Sequence, residues 1–127
     1  MINFADVSRE GQGKLTFGDS VNVDKTTHFI CYDQIDIGEG TIIARNVVLV
    51  DFDHNLTIKE SILRNGVSKP IKIGKYCWIG ANSVILKGVT LGDYCVVGAG
   101  SVVTKSFPGD VIIGGNPAKL IKKRKYD

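Results

Sequence analysis

The stretch Ile71-Lys-Ile-Gly-Lys-Tyr-Cys-Trp-Ile-Gly-Ala-Asn-Ser-Val-Ile-Leu-Lys-Gly-Val-Thr-Leu-Gly-Asp-Tyr-Cys-Val-Val-Gly-Ala-Gly-Ser-Val-Val103 repeats in sixes. Ile73, Ile79, Ile85, Leu91, Val97 and Val103 fall at an unbroken interval of six. Two residues before each stands Ile71, Cys77, Ser83, Val89, Cys95 or Ser101, mostly small. A helix needs a period of 3.6 and an ordinary strand a period of 2. A strict six implies a parallel β-helix built from hexapeptides, each a short strand plus a corner. The fold class read from these residues is all-β.

Upstream, Phe17-Gly18-Asp19 and Val23 read as early rungs, and Cys31, Ile37, Ile43 and Leu49 form a second series. The two series differ in phase, which predicts a two-residue insertion near residues 24–28, a bulge of the kind that re-aims side chains at a rim. Residues 51–70 do not repeat, yet Leu49 and Ile73 are separated by a multiple of six, so the coil resumes in phase. An excursion of that length from a regular solenoid predicts function. Past Val103, Ser106-Phe-Pro-Gly109 predicts a turn. Val111 to Ile113 reads as a last strand, Gly115-Asn116-Pro117 as a turn, and Ala118 to Lys125 as a short basic helix. The chain thus reads as one domain over 1–127: an irregular start at 1–14, coils at about 15–50 and 71–105, a loop at 51–70 and a C-terminal segment at 106–127.

Fifteen glycines suit a chain with many corners. The net charge of +3 is too small to imply nucleic acid. Lys119, Lys122, Lys123, Arg124 and Lys125 crowd one end, either as a solvated tail or as a site for a phosphate-bearing ligand. No apolar run is long enough to span a bilayer and no signal peptide is recognisable, so a cytoplasmic location is expected. Three cysteines without a secretion signal argue against a disulfide framework. Cys77 and Cys95 are three hexapeptides apart. If three hexapeptides make a coil, these two stack about 4.8 Å apart as small buried residues.

The candidates for proton transfer are His28 and His54. Histidine is the natural base near neutral pH. His54 lies in the non-repeating loop just after Asp51 and Asp53, either of which is placed to orient its ring. His28 lies near the phase slip. Two histidines without close ligand spacing argue against a three-histidine zinc site, and no metal is expected. The chain contains no phosphate-binding Gly-x-x-x-x-Gly-Lys loop, no Gly-x-Gly-x-x-Gly and no serine nucleophile elbow.

Three segments carry a resemblance: Lys69-Pro-Ile-Lys-Ile-Gly-Lys-Tyr-Cys-Trp-Ile-Gly80, Gly98-Ala-Gly-Ser-Val-Val-Thr-Lys105 and Gly115-Asn-Pro-Ala-Lys119. They resemble the hexapeptide-repeat O-acetyltransferases, in particular the maltose and galactoside O-acetyltransferase group and modules that acetylate surface glycans. The resemblance covers roughly Leu15 to Lys123, more specifically in its second half. It implies a left-handed parallel β-helix with three strands per coil, an exception to the usual right-handed crossover. It also implies a homotrimer with active sites at the subunit clefts, acetyl-CoA as co-substrate and a sugar or glycan hydroxyl as acceptor.

Residue by residue, the resemblance makes His54 the catalytic base. It places Ala81 and Ala99 along the thioester and pantetheine arm, Thr104 and Lys105 at the nucleotide end, and Lys119 and Lys122 at the phosphates. Backbone N–H groups near Gly80 and Ala81 become candidates to hold the oxyanion. Asp24 stands where the family has an acceptor-binding Asn, and an ionised aspartate accepts but does not donate. Asp33 is the nearest match to an acceptor-binding Asp. The family's N-terminal helical segment has no match, which implies a more open acceptor pocket or a partial chain. The same scaffold also carries N-acetyltransferases and other small-molecule acetyltransferases, and a catalytically inactive trimeric β-helix is the reading from another class.

Overall fold

In this computed structural model, which describes residues 6–54, 56 and 66–127, each hexapeptide becomes a short strand and a corner. The first coil is β1 (Ser8–Glu10), β2 (Lys14–Phe17) and β3 (Asn22–Val23). The second is β4 (His28–Ile30), β5 (Gln34–Ile37) and β6 (Ile42–Ile43). The third begins with β7 (Val48–Val50) and is interrupted by β8 (Phe52–His54) and β9 (Gly66–Ser68). It resumes with β10 (Ile71–Ile73) and β11 (Trp78–Ile79). The fourth is β12 (Val84–Ile85), β13 (Thr90–Leu91) and β14 (Val96–Val97). The fifth is β15 (Val102–Val103), a bridge from Leu91 to Phe107, and β16 (Val111–Gly115), followed by β17 (Ala118–Lys123).

Every rung sits on its equivalent in the coil before, in parallel. Face one stacks β1, β4, β7, β12 and β15; face two stacks β2, β5, β10 and β13; face three stacks β3, β6, β11, β14 and β16. The result is a three-sided parallel β-helix, consistent with the left-handed form. The aliphatic residue of each hexapeptide points inward, so like residues stack: Phe29, Leu49, Ile85 and Val103 on face one, and Val23, Ile43, Ile79, Val97 and Ile113 on face three. The resumption in phase is seen directly, since Ile73 pairs with both Ile37 and Leu91. Cys77 and Cys95 are stacked and buried one tier apart.

The outer surfaces differ by face. Face two turns Thr16, Gln34, Asp36, Lys72 and Thr90 outward, and the Thr16 hydroxyl and the Gln34 amide both donate to Asp36. Face one turns out Ile30, Val48, Val50, Val84 and Val102. Face three turns out Ile42, Trp78, Val96 and Ile112.

Three expectations change. The phase slip is not at residues 24–28: Phe17, Val23 and Phe29 keep one phase, and the extra residues sit at the corner Cys31–Asp33. Cys31 is a corner residue two places after Phe29 rather than the first member of the later series. Within the irregular start, β1 already pairs with β4, from Ser8 opposite His28 to Glu10 opposite Ile30. The C-terminal helix is instead the strand β17, antiparallel to β16. The free edge of the last rung offers N–H and C=O groups that a returning strand can pair and a helix cannot.

Candidate active site

His54 ends β8, which leaves the coil with β9 as a two-stranded antiparallel pair, Phe52 opposite Ser68 and His54 opposite Gly66. The Phe52 ring lies directly over Gly66, where a Cβ would overlap the ring edge. The His54 ring is exposed and meets Phe52 edge-on, centroids 5.9 Å apart. Phe52 also packs on Tyr32 at 4.9 Å. Asp53 accepts the His54 backbone N–H at 2.7 Å and pairs with Lys87 at 3.6 Å. Asp51 is fully buried and accepts the backbone N–H groups of Tyr32 and Asp33, each at 2.8 Å. Among the described residues, therefore, neither carboxylate bonds to the imidazole, unlike the sequence expectation. The rest of the loop, residues 55 and 57–65, lies outside the described residues. His28 is on face one, its Nδ1 2.6 Å from Ser8 Oγ.

Ala81 and Ala99 follow β11 and β14 at the corner between faces three and one. With Ala44, Trp78, Gly80 and Gly98 they line a largely apolar cleft of about 310 Å³. Tight stacking makes it: a Cβ on Gly80 would come within 2.6 Å of the Ala99 backbone nitrogen. The Gly80 N–H donates to the Val97 carbonyl at 2.8 Å, so of the two amides suggested for an oxyanion only that of Ala81 remains a candidate. Asp24 occupies the same corner two tiers below Gly80. It accepts from the Thr26 hydroxyl at 2.6 Å and the Thr26 N–H at 2.9 Å, bonds that hold its carboxyl below the ordinary carboxylate range.

Thr104 and Lys105 follow β15 at the corner between faces one and two, both exposed, with the Lys105 ammonium 5.6 Å from the Phe107 ring centre. Asp33 lies on this corner too, exposed, as does the root of the His54 hairpin. Lys119 and Lys122 project from β17 opposite Gly114 and Ile112. Lys122 joins Lys123, Arg124, Lys125 and Ile112 around a groove of about 580 Å³, whose lining does not include Lys119. Arg124 is fixed by a bond to the Tyr94 carbonyl at 3.0 Å and by the Tyr126 ring 4.9 Å away.

One chain thus places most of its candidates at two corners flanking face one, with Lys119 and Lys122 apart on β17. The cleft and Asp24 are on one; His54, Asp33, Thr104 and Lys105 are on the other. Sequence reasoning missed Tyr32, and it took Asp51 for a ring partner. The signal for Asp51 was available: the alternation that turns Leu49 inward turns Asp51 inward as well.

The cysteines are not poised for chemistry. All three are free and buried. Burial pushes the Cys31 thiol up to about 11, with Asp51 adding to the effect, and burial with Cys77 beside it pushes Cys95 up to about 12. Among the described residues no three His, Cys, Asp or Glu side chains cluster to hold a metal ion. No helix among them is long and apolar enough to cross a membrane.

Residues 70–105 match the hexapeptide repeat of succinyl-transferases. An Escherichia coli protein provisionally named as an O-acetyl transferase of lipopolysaccharide biosynthesis is 35% identical, covering 92% of this chain and 64% of its own. The chain spans 40% to 64% of the length of the first curated relatives it matches. A hexapeptide-repeat-containing acetyltransferase of Vibrio cholerae superimposes with a TM-score of 0.69 at 31% identity, over 86% of this chain and 73% of its own. Its complex with acetyl coenzyme A gives 0.83 at 27% identity, over 96% and 74%. A galactoside acetyltransferase in complex with coenzyme A gives 0.72 at 31% identity, over 94% and 64%. With the six-residue stack, the small-residue cleft and these relatives in agreement, the chain belongs to the hexapeptide-repeat acetyltransferase family.

Proposed function

We propose that the protein is an acyltransferase that moves the acetyl group of acetyl-CoA to a sugar or glycan hydroxyl. The observation that carries this reading is the cleft at Ala81 and Ala99, narrow, apolar and bounded by backbone. It suits an extended pantetheine arm, which needs small side chains to come close. The basic groove at Lys122 suits phosphates through charge-assisted bonds. Lys119, Thr104 and Lys105 are assigned to the same ligand by resemblance. Two of the neighbours above are complexes with acetyl-CoA or CoA, and the name of the Escherichia coli relative is that of an O-acetyl transferase.

In the proposed reaction His54 takes the proton of the acceptor hydroxyl as its oxygen attacks the thioester carbonyl. The carbon–sulfur bond then breaks and the proton passes to the departing thiolate, giving the acetyl ester and free CoA. No nucleophilic side chain of the protein need be acylated. The Ala81 N–H is the candidate donor to the carbonyl oxygen. Asp33, beside the His54 hairpin, is the better-placed acceptor contact. Asp24 is already committed to Thr26.

The cleft and His54 lie on opposite corners of one chain, separated by face one, which is apolar from Ile30 onward. A homotrimer in which face one and face three pack between copies brings the His54 of one copy to the cleft of the next. Free, buried thiols fit a reducing compartment such as the cytoplasm.

The test is thiol release from acetyl-CoA over a panel of sugars, glycan precursors and amines, for wild type and His54→Ala. Release on a sugar that falls about 10² to 10⁴-fold in the variant supports the mechanism. Full turnover by His54→Ala defeats it. Turnover on amines alone makes the enzyme an N-acetyltransferase. Neither turnover nor CoA binding leaves a scaffold.

A further inference from the structure

We infer that Asp51, acting through Phe52, is a positioning residue that fixes His54 against the corner Cys31–Asp33, an inference that rests on the acetyltransferase reading with His54 as base.

Asp51 stands where the third coil is opened to admit the loop. Its backbone N–H donates to the Ile30 carbonyl at 3.1 Å, continuing the ladder with the second coil. Its carbonyl accepts the Lys69 N–H at 2.9 Å, where the chain returns. Both ends of the excursion are therefore tied at this residue. The side chain adds a third tie. Its two oxygens take the N–H groups of Tyr32 and Asp33, one each. A carboxylate offers two acceptor oxygens and no donor, and two adjacent backbone N–H groups match it.

The matching feature is the insertion in the second coil. The extra residues at Cys31–Asp33 turn two consecutive amides inward, and the fully buried Asp51 fills the space they face. Without Asp51 these inward-facing amides would lose their partners, which is costly where water does not replace them. The anchor then extends outward through rings. Tyr32 donates its hydroxyl to Glu10 at 2.9 Å and packs on Phe52, and Phe52 packs on the edge of His54. Two residues, Tyr32 and Phe52, link the buried carboxylate to the exposed imidazole, and Phe52 is clamped between Tyr32 and the bare Gly66. His54 itself has no hydrogen-bond partner for its ring among the described residues, so its placement depends on the strand that carries it.

Two variants test this. In Asp51→Asn the side chain keeps its shape but offers one acceptor and one donor to two N–H groups. In Phe52→Leu the carboxylate stays and the ring contacts go. Each is expected to lower kcat about 10- to 100-fold, as a displacement of about 1 Å at a reacting group does. The KM for acetyl-CoA and the calorimetric Kd for CoA should stay near wild-type values, because Asp51 and Phe52 make their contacts with Ile30, Tyr32, Asp33, His54, Gly66 and Lys69 and with none of the residues assigned to CoA. A merely structural role would lower the melting temperature but leave kcat unchanged at temperatures well below it. If Asp51→Asn fails to fold, Phe52→Leu carries the test alone. Loss of turnover in His54→Ala together with wild-type kcat in the folded variants overturns the inference and leaves the mechanism standing. Full turnover by His54→Ala overturns the base reading, and the inference falls with it.

Discussion

Ala99 stands one tier above Ala81 at the same corner, and the tiers are tied where the Gly100 N–H donates to the Ala81 carbonyl at 2.8 Å. The methyl groups of the two alanines set the width of the cleft. In Ala99→Leu three added carbons occupy space that is open to solvent, so the fold bears the change. The KM for acetyl-CoA should rise by about tenfold or more, with little change in melting temperature. Steady-state kinetics and a thermal melt check both halves.

Lys122 should act at long range and only on charged donors. In Lys122→Glu the groove loses one cation and gains an anion among Lys123, Arg124 and Lys125. The Kd for CoA should weaken by about tenfold, and more at low ionic strength, where charges are less screened. A pantetheine-length acetyl donor without phosphates should be used equally well by wild type and variant. Calorimetry at two salt concentrations distinguishes this from a general loss of fold.

Two glycines separate backbone strain from steric overlap. Gly100 has φ +71° with no atom within 4 Å of where a Cβ would lie, whereas Gly40 has φ +69° and a Cβ there would overlap the Tyr76 ring. Gly100→Ala should cost roughly 1–2 kcal/mol, the left-handed penalty alone. Gly40→Ala should cost a further 1–3 kcal/mol or so for overpacking. Urea unfolding of both variants measures the difference, and equal losses would refute the Tyr76 packing.

The buried thiols predict the alkaline limb of stability. Cys31 and Cys95 hold their protons up to about 11 and about 12 in the native state, against an ordinary value of 9.0. Above pH 9 the unfolded chain therefore binds fewer protons than the native one, and stability falls as pH rises. The contribution is complete below pH 9 and is lost as pH approaches 11 to 12. Melting temperatures of wild type and Cys95→Val from pH 7 to 11 check it: the variant should decline less steeply.

Legibility followed the repeat. From Ile71 to Val103 each side chain's direction was readable, because a period of six fixes which residue points inward and which begins a corner. Ala81, Ala99 and His54 could be singled out on that basis together with the resemblance. Where the count broke, reading failed. Cys31 looked like a rung and is a corner, so the slip was placed several residues too early. Ala118 to Lys123 alternates too weakly to announce a strand, and its pairing with β16 is a property of an open sheet edge, not of the segment.

The sequence by itself determined the stacking, since a strict six with small corner residues can bury its aliphatic side chains only by coiling on itself. Tertiary structure alone decided the partners of those residues that leave the repeat. Asp51 and Asp53 both precede the same histidine closely in sequence, yet one is buried against the Tyr32 and Asp33 amides and the other is paired with Lys87. That choice depends on which backbone groups a neighbouring coil leaves unpaired, and no local pattern of residues records it.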